Sequence, residues 1–252
     1  MTTFVWKKYI EVAEARSQVY GLLSALYIEL PDLKWLGGIF DAGFQQSFPS
    51  IASDFHMAGI KEGLKLIAGF VTEFKSKPRE EVLKLISIDR TRLLHGVGKR
   101  NSPPPPYESM YRDGRIWGKS TEEVALTCNR LGVKLSQECS EPPDYIGIEF
   151  DLMRLICSAE KEAWEAGSID KAGKFLQLGS EFLGQHFMKW VPDFCEQMYR
   201  KAELDFYRGL SLLTKGFVEY DSRLVEQQID NIKQKLGWES YPSESGSGTN
   251  TH

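Results

Sequence analysis

The chain contains 252 residues, with 31 Lys and Arg against 35 Asp and Glu, a formal net charge of −4, and a hydrophobic content of 42%. This composition excludes an intrinsically disordered chain, and the acidic balance argues against a general nucleic-acid-binding protein, which usually has a high pI. The four cysteines form no Cys-x-x-Cys pair, which argues against a disulfide-stapled scaffold. Because no apolar run is long enough for a membrane span and the first residues lack secretory features, we expect a cytoplasmic protein.

Apolar residues recur with helical spacing through nearly the whole chain. The first run extends from Val12 to Leu30 and stops at Pro31. Similar runs predict helices at 60–74, at 80–94, after Ser120, and at 144–166, 170–190, 194–213 and 217–236. No sustained alternation with period two occurs, so we expect an all-α fold, a single helical domain of about eight to ten helices. This domain is expected to span residues 1–238, followed by a disordered tail, 239–252.

Two proline-containing segments interrupt the helical pattern. The run from Ser102 to Tyr107 contains four consecutive prolines and must be extended. The second segment ends in Glu141-Pro-Pro143, and Asp144 directly after it is a candidate N-cap for the following helix. If the domain consists of two subdomains, we expect the hinge near 134–143.

The sequence contains no convincing catalytic motif. Gly96-Val-Gly98-Lys99 resembles a phosphate-binding loop, but it follows a predicted helix and lacks the first glycine and the final Ser or Thr of that motif. The four histidines lie far apart, and no two of them form a ligand pair on one helix. We therefore predict neither a metal site nor an enzymatic activity.

Two polar residues nonetheless fall within apolar helix faces. Glu149 lies between apolar arcs of helix 144–166, and a buried carboxylate is costly unless it is paired. Its favoured interpretation is an internal ion pair or a bond to loop amides; the alternative is a carboxylate held ready for a cationic partner. His186 lies between Phe182 and Trp190, where a satisfied core histidine is favoured over a ligand-binding one.

Charge is segregated along the chain. Residues 141–165 contain seven acidic and two basic side chains, a net charge of −5, and residues 75–100 contain eight basic and three acidic ones, a net charge of +5. One interpretation is a pair of solvated faces that attract each other. The other is an acidic groove for a basic peptide, because a carboxylate can bind an arginine through two hydrogen bonds.

Four segments carry a further signal, and they occur in order within roughly residues 10–220. They are Asp89-Arg-Thr-Arg-Leu-Leu94, Pro105-Pro-Tyr107-Glu108-Ser109, Glu141-Pro-Pro-Asp-Tyr-Ile-Gly-Ile-Glu149-Phe-Asp-Leu-Met153 and Phe182-Leu-Gly-Gln-His186-Phe-Met-Lys-Trp190-Val-Pro192-Asp-Phe194. Together they resemble the redox-enzyme maturation chaperones of the TorD, DmsD and NarJ type. In one departure from that pattern, Tyr145 replaces the usual histidine after Pro-Asp.

The resemblance implies a cytoplasmic, all-helical chaperone. It would bind the twin-arginine leader, or the apo form, of a molybdenum-containing oxidoreductase subunit and assist cofactor insertion and assembly before export. The leader-binding residues implied are Glu141, Pro142, Pro143, Asp144, Tyr145, Glu149, Tyr107, Glu108 and Ser109, and the structural or groove residues are Arg92, Phe182, His186, Trp190 and Pro192.

Other properties of the chain stay open at this stage. The resemblance implies no cofactor beyond weak guanine-nucleotide binding, no nucleic acid, no membrane insertion, and either a monomer or a domain-swapped dimer. An alternative function is an assembly factor that grips the mature client or its membrane-bound complex. A third class is a helical nucleotide-dependent hydrolase.

Overall fold

Helices form most of the described chain, which confirms the predicted all-α fold. The computed structural model describes residues 2–41, 58–96, 102–132, 141–236 and 238. Its helices are α1 Thr2–Ile28, α2 Leu33–Phe40, α3 Ala58–Phe74, α4 Arg79–Leu94, α5 Glu108–Arg112, α6 Lys119–Arg130, α7 Ile146–Glu165, α8 Ile169–Phe182, α9 Met188–Lys201 and α10 Asp205–Leu236. Within these described ranges there is no β-strand, and the one isolated β-bridge joins Tyr107 to Tyr145.

Several helix boundaries differ from the sequence prediction. Helices α8 and α9 are joined without a break by a π-helical turn, Leu183–Phe187, and Pro192 lies inside α9. A proline removes one backbone donor and crowds the carbonyl four residues earlier, and here the preceding π turn has already shifted the hydrogen-bond ladder. The predicted interruption at 213–217 is also wrong, because α10 continues through Gly216, where the missing side chain makes room for Ile60.

Two helix pairs organise the packing. Helix α1 lies along α7, which also packs on α8, and α10 lies along both α3 and α9. Glycines allow the α3–α10 contact to be close: a Cβ added at Gly63 would lie 2.7 Å from the carbonyl oxygen of Gly209. Of the described helices, none combines the length and apolarity needed to cross a membrane.

A buried ion network links three helices at the centre of the fold. Arg16 of α1 donates to Asp221 of α10 at 2.6 Å and to Glu160 of α7 at 2.6 Å. Tyr20 donates to the same Asp221 carboxylate, and Trp164 donates to Glu160. All three charged side chains are buried, so each depends on the others for its hydrogen bonds.

The predicted hinge and the predicted tail lie mostly on residues that the structure does not describe. Residues 133–140 and 239–252 lie outside the described residues, so the hinge near 134–143 and the disordered tail stay predictions. The predicted extent of the domain is likewise untested.

Replacing Arg16 with Met should lower the free energy of unfolding by about 3–5 kcal/mol, because Asp221 and Glu160 would remain buried without their cation. Urea denaturation followed by circular dichroism measures this change. Lys161→Met is the matched control, since Lys161 of α7 pairs with Glu14 of α1 at the surface. The control should leave the midpoint almost unchanged, and equal midpoints for the two variants would show that the network is not stabilising.

Gly63→Ala should destabilise the protein by about 1–3 kcal/mol, because the new methyl group would be forced against the α10 backbone. Gly69→Ala, on the same helix, places its methyl where no atom lies within 4 Å. It should stabilise the protein by up to about 1 kcal/mol through helix propensity. Thermal unfolding of the two variants measures the difference, and destabilisation by both would argue against this packing.

Candidate functional site

Two of the signature segments meet in space. Tyr107 and Tyr145 form an antiparallel bridge, in which Glu108 N donates to the Asp144 carbonyl at 3.0 Å and Ile146 N donates to the Pro106 carbonyl at 3.0 Å. We call the paired segments 105–109 and 142–149 the loop joint. Since a proline can accept but not donate through its backbone, Pro106 contributes to this pairing only through its carbonyl.

Asp144 fastens the loop joint with its side chain as well as its backbone. Its Oδ2 accepts the backbone N–H of Ser109 at 2.9 Å, next to the start of α5. The prediction that Asp144 caps the following helix is therefore wrong: Tyr145 occupies the N-cap of α7 and has no side-chain cap bond. Asp144 instead satisfies a free donor at the first turn of a helix that lies earlier in the chain.

Glu108 and His186 form a buried pair at the inner side of the loop joint. His186 Nδ1 lies 2.8 Å from Glu108 Oε2, while Arg112, one turn along α5, pairs with the other carboxylate oxygen. Phe182 stacks on the imidazole ring with 4.5 Å between centroids. The interpretation of His186 as a satisfied core histidine is confirmed, and its partner is a carboxylate.

Glu149 has neither of the partners that the sequence analysis favours. It is fully buried, and among the described residues neither carboxyl oxygen has a hydrogen bond of ordinary geometry, although the side chains of Glu108 and Trp190 are its polar neighbours. Burial raises the pKa of Glu149 well above its usual value, and the nearby carboxylates of Glu108 and Asp144 raise it further. Both effects favour the protonated form of Glu149.

The π turn, Leu183–Phe187, positions the fourth signature segment. It carries His186 toward Glu108, and α9 continues from it with Trp190 fully buried against Tyr111 at 5.4 Å between ring centroids. Single π turns of this kind often occur at functional sites. Pro192 follows two residues later and is half-buried.

The outer side of the loop joint contacts the end of α1. Tyr145 donates its hydroxyl to the Tyr27 carbonyl at 2.7 Å, and Arg90 of α4 donates to the same carbonyl at 2.5 Å. Burial raises the pKa of Tyr145 to about 12. Tyr107 donates to Glu141 at 2.5 Å, and burial together with this bond raises its pKa. The replacement of the family's histidine by Tyr145 thus supplies a neutral donor to α1.

The structure brings most of the implied site residues together but not all. Gathered at the loop joint are Glu141, Pro142, Pro143, Asp144, Tyr145, Glu149, Tyr107, Glu108, Ser109, His186, Phe182 and Trp190, and all except Glu141 are buried. Arg92 instead donates to Asp89 and to the Lys201 carbonyl, and Asp89 accepts the backbone N–H groups of Glu203 and Leu204. Arg92 therefore stabilises the turn between α9 and α10.

Sequence reasoning missed two cations at the loop joint. Arg112 lies four residues after Glu108, an i, i+4 spacing that could have identified the pair had α5 been predicted. Arg90 reaches the end of α1 across 63 positions in sequence, and no local pattern could have shown this contact.

The acidity of residues 141–165 is largely internal. Asp144, Glu149 and Glu160 are completely buried, and Glu160 pairs with Arg16. Asp151, Glu162 and Glu165 lie at the surface or partly exposed. The segment therefore does not present its seven acids as one continuous exposed groove.

The loop joint is a buried polar cluster in which some carboxyl oxygens lack a hydrogen bond of ordinary geometry. Asp144 Oδ1 and both oxygens of Glu149 have no partner among the described residues. Within the described residues, no group of three or more His, Cys, Asp or Glu side chains is placed so that it could hold a metal ion.

The chain is an all-α protein in which three of the four signature segments converge on one buried polar cluster, and comparison with known proteins identifies its family. The family model described as nitrate reductase delta subunit matches residues 54–196. The chain belongs to this family. The match includes all four signature segments and the whole loop joint.

Proteins similar to this chain include curated relatives and one solved structure. The chain is 26% identical over 125 residues to a protein named Chaperone protein TorD from Vibrio cholerae, covering 49% of this chain and 56% of that one. It is 29% identical over 120 residues to one named Probable Tat proofreading chaperone DmsD from Haemophilus influenzae, covering 47% and 52%. The chain thus spans about half the length of these curated relatives. A crystal structure of a redox enzyme maturation protein from Archaeoglobus fulgidus has a TM-score of 0.43 at 18% identity, covering 84% and 93%.

Glu149→Gln should make the protein more stable at neutral pH and less sensitive to pH. Because the pKa of Glu149 is raised in the folded state, its stabilising contribution is complete below the unfolded pKa near 4.5 and is lost as the pH rises toward the folded pKa. Within that window the parent should lose about 1.4 kcal/mol per pH unit from this group.

Urea unfolding between pH 5 and pH 8 measures this dependence. The control is Glu162→Gln, an exposed glutamate on the same helix, which should keep the pH profile of the parent. Parallel profiles for Glu149→Gln and the parent would mean that Glu149 is ionised in the folded protein.

Proposed function

We propose that this protein is a cytoplasmic, system-specific chaperone for a molybdenum-containing oxidoreductase subunit. It binds the twin-arginine leader or the apo form of that subunit and assists cofactor insertion and assembly before export. The observation that carries the proposal is the family match over 54–196, together with the convergence of three of its signature segments on the loop joint. The two relatives described above are named as chaperones, and one name refers to Tat proofreading.

The cluster geometry supports a binding role with no chemical step. Asp144, Glu108 and Glu149 are all buried, with Asp144 held by the Ser109 N–H and Glu108 by His186 and Arg112, so these carboxyl groups lack free access to a substrate. A reversible complex suits a chaperone, since the client must be released after its cofactor is inserted. The proposal requires no cofactor of the chaperone's own.

The residues implied in leader binding differ in burial, and we assign them different roles on that basis. Glu141 is half-buried and faces outward beside Tyr107, so it is able to contact a peptide directly. Asp144 and Glu149 are fully buried, and they act on the leader either by holding the loop joint in shape or by offering their unfilled oxygens when the loops separate.

A second mode of binding is favoured by a separate observation. Apolar side chains are exposed outside the loop joint: Ile116 is 40%, Trp117 63% and Leu126 58% exposed. Trp117 also has a positive φ of 63°, a conformation that bulky residues rarely adopt. Exposed aromatic residues are frequent anchors at protein interfaces, so these side chains, Trp117 above all, are candidates for gripping the mature body of the client.

A synthetic twin-arginine leader peptide should bind the full chain with micromolar affinity in calorimetry. Asp144→Asn should weaken binding about tenfold, because the substitution replaces the charged acceptor of the Ser109 N–H with a weaker neutral one and so loosens the loop joint. Circular dichroism and unfolding of the variant show whether the fold is kept. Glu162→Gln, an exposed charge removal on α7, is the control and should bind like the parent.

Two results would redirect the proposal. Equal affinity for Asp144→Asn and the parent would remove the loop joint from leader recognition. Co-purification with a client that lacks its leader, combined with no peptide binding, would favour the mature body as the ligand.

A further inference from the structure

An apolar groove lies between the end of α1 and α2, outside the loop joint. Its cavity volume is about 600 Å³, and Leu22, Leu26, Trp35 and Ile39 contribute to its lining. Gly38 also lines it, and a Cβ at that position would meet no atom within 4 Å, so the groove is not closed from that side. Sites that receive apolar groups in proteins have volumes of this order.

The apolar surface continues beyond the groove onto its lip. Ile28 is 45%, Leu30 74% and Leu33 50% exposed. The sequence pattern places Leu30 on the buried stripe of the first helix, but α1 ends at Ile28 and leaves this leucine outside. A single exposed leucine is ordinary on a protein surface. Three large aliphatic side chains exposed within six positions instead indicate an interaction site.

The same lip is negatively charged. Glu29 and Asp32 line the groove against one cation, Lys34. The last turn of α1 contains no basic residue, although the C-terminus of a helix carries a partial negative charge that such a residue would offset. Among the described residues Glu29 has no salt-bridge partner, and Asp32 caps α2 by accepting the Trp35 N–H at 2.6 Å.

We infer that the α1–α2 groove receives the apolar stretch of the client's leader, with a leader arginine bound to Glu29. The inference rests on the proposed function and adds the location of the peptide. A leader of this type combines guanidinium groups with a following apolar run, and the groove offers the carboxylate of Glu29 beside an apolar floor. A neutral apolar partner would leave the acidic lip without a counterpart.

The groove adjoins the loop joint through the end of α1. The Tyr27 carbonyl is held by Tyr145 and Arg90, and a Cβ on Gly147 would lie 2.5 Å from Ile28 Cγ1. The absence of a side chain at Gly147 therefore allows Ile28 to rest against α7. This contact places the lip of the groove directly beside the signature segments.

The test uses the full chain and a synthetic peptide with two adjacent arginines followed by an uncharged run of leucine and alanine. Leu30→Ser should weaken binding about tenfold, because a central apolar contact is lost while the exposed position leaves the fold intact. The matched control is Ile88→Ser on α4, an aliphatic residue that is 53% exposed and does not line the groove, and it should bind like the parent.

A charge-reversal pair tests the arginine contact. Glu29→Lys should weaken the peptide about tenfold or more, and changing the peptide's arginines to glutamates should restore part of that loss. Glu226→Lys, an exposed charge reversal on α10, has the same effect on net charge and should not change binding.

The outcomes separate the inference from the proposed function. Peptide binding that is unaffected by Leu30→Ser and Glu29→Lys would overturn the groove assignment and leave the chaperone function standing. Absence of binding to the parent would overturn both. If Leu30→Ser instead shifted a self-association equilibrium in sedimentation velocity without changing the peptide's Kd, the occupant would be a second copy of the chain, and the inference would be wrong.

Discussion

The pairing of two proline-containing segments through Asp144 is the constraint on which the site depends. Proline fixes the approach of each segment but removes backbone donors, so the pairing must rely on the few N–H groups that remain. Glu108 and Ser109 supply two of them, and both are accepted by Asp144, one by its carbonyl and one by its carboxylate. A single aspartate thus sets the position of α5 relative to the start of α7.

The loop joint concentrates acidic side chains where water is excluded, which is costly for a charged carboxylate. The fold lowers this cost in two different ways. Glu108 is compensated by His186 and by Arg112. No cation reaches Glu149 among the described residues, and burial raises its pKa, which favours the protonated form. In the buried network between α1, α7 and α10, the cation Arg16 compensates both Glu160 and Asp221. Loss of the Arg16 side chain should therefore lower the free energy of unfolding.

Sequence reasoning predicted the features that depend on local pattern. Helical spacing identified the helix class, and the order of short motifs identified which segments belong together. It could not foresee that Asp144 serves an earlier helix rather than its own, because N-cap preference describes only the local alternative. Leu30 was misplaced for a related reason: its spacing continues the apolar stripe, but the helix ends two residues before it. The gap predicted between 190 and 194 is absent, because the helix continues through Pro192 after a π turn that no sequence pattern indicates.

The burial of the signature residues changes how they would act on a client. A residue that is fully buried contributes to recognition through the shape it maintains, and the loop joint maintains the end of α1: Tyr145 and Arg90 hold the Tyr27 carbonyl, and Gly147 leaves room for Ile28. Loosening the joint would therefore move Leu30 and Glu29, which are exposed beside it. If the peptide lies in the α1–α2 groove, substitutions at Asp144 weaken binding indirectly, and they should lower affinity for arginine-containing and arginine-free peptides alike. Substitution of Glu29 should affect only the former.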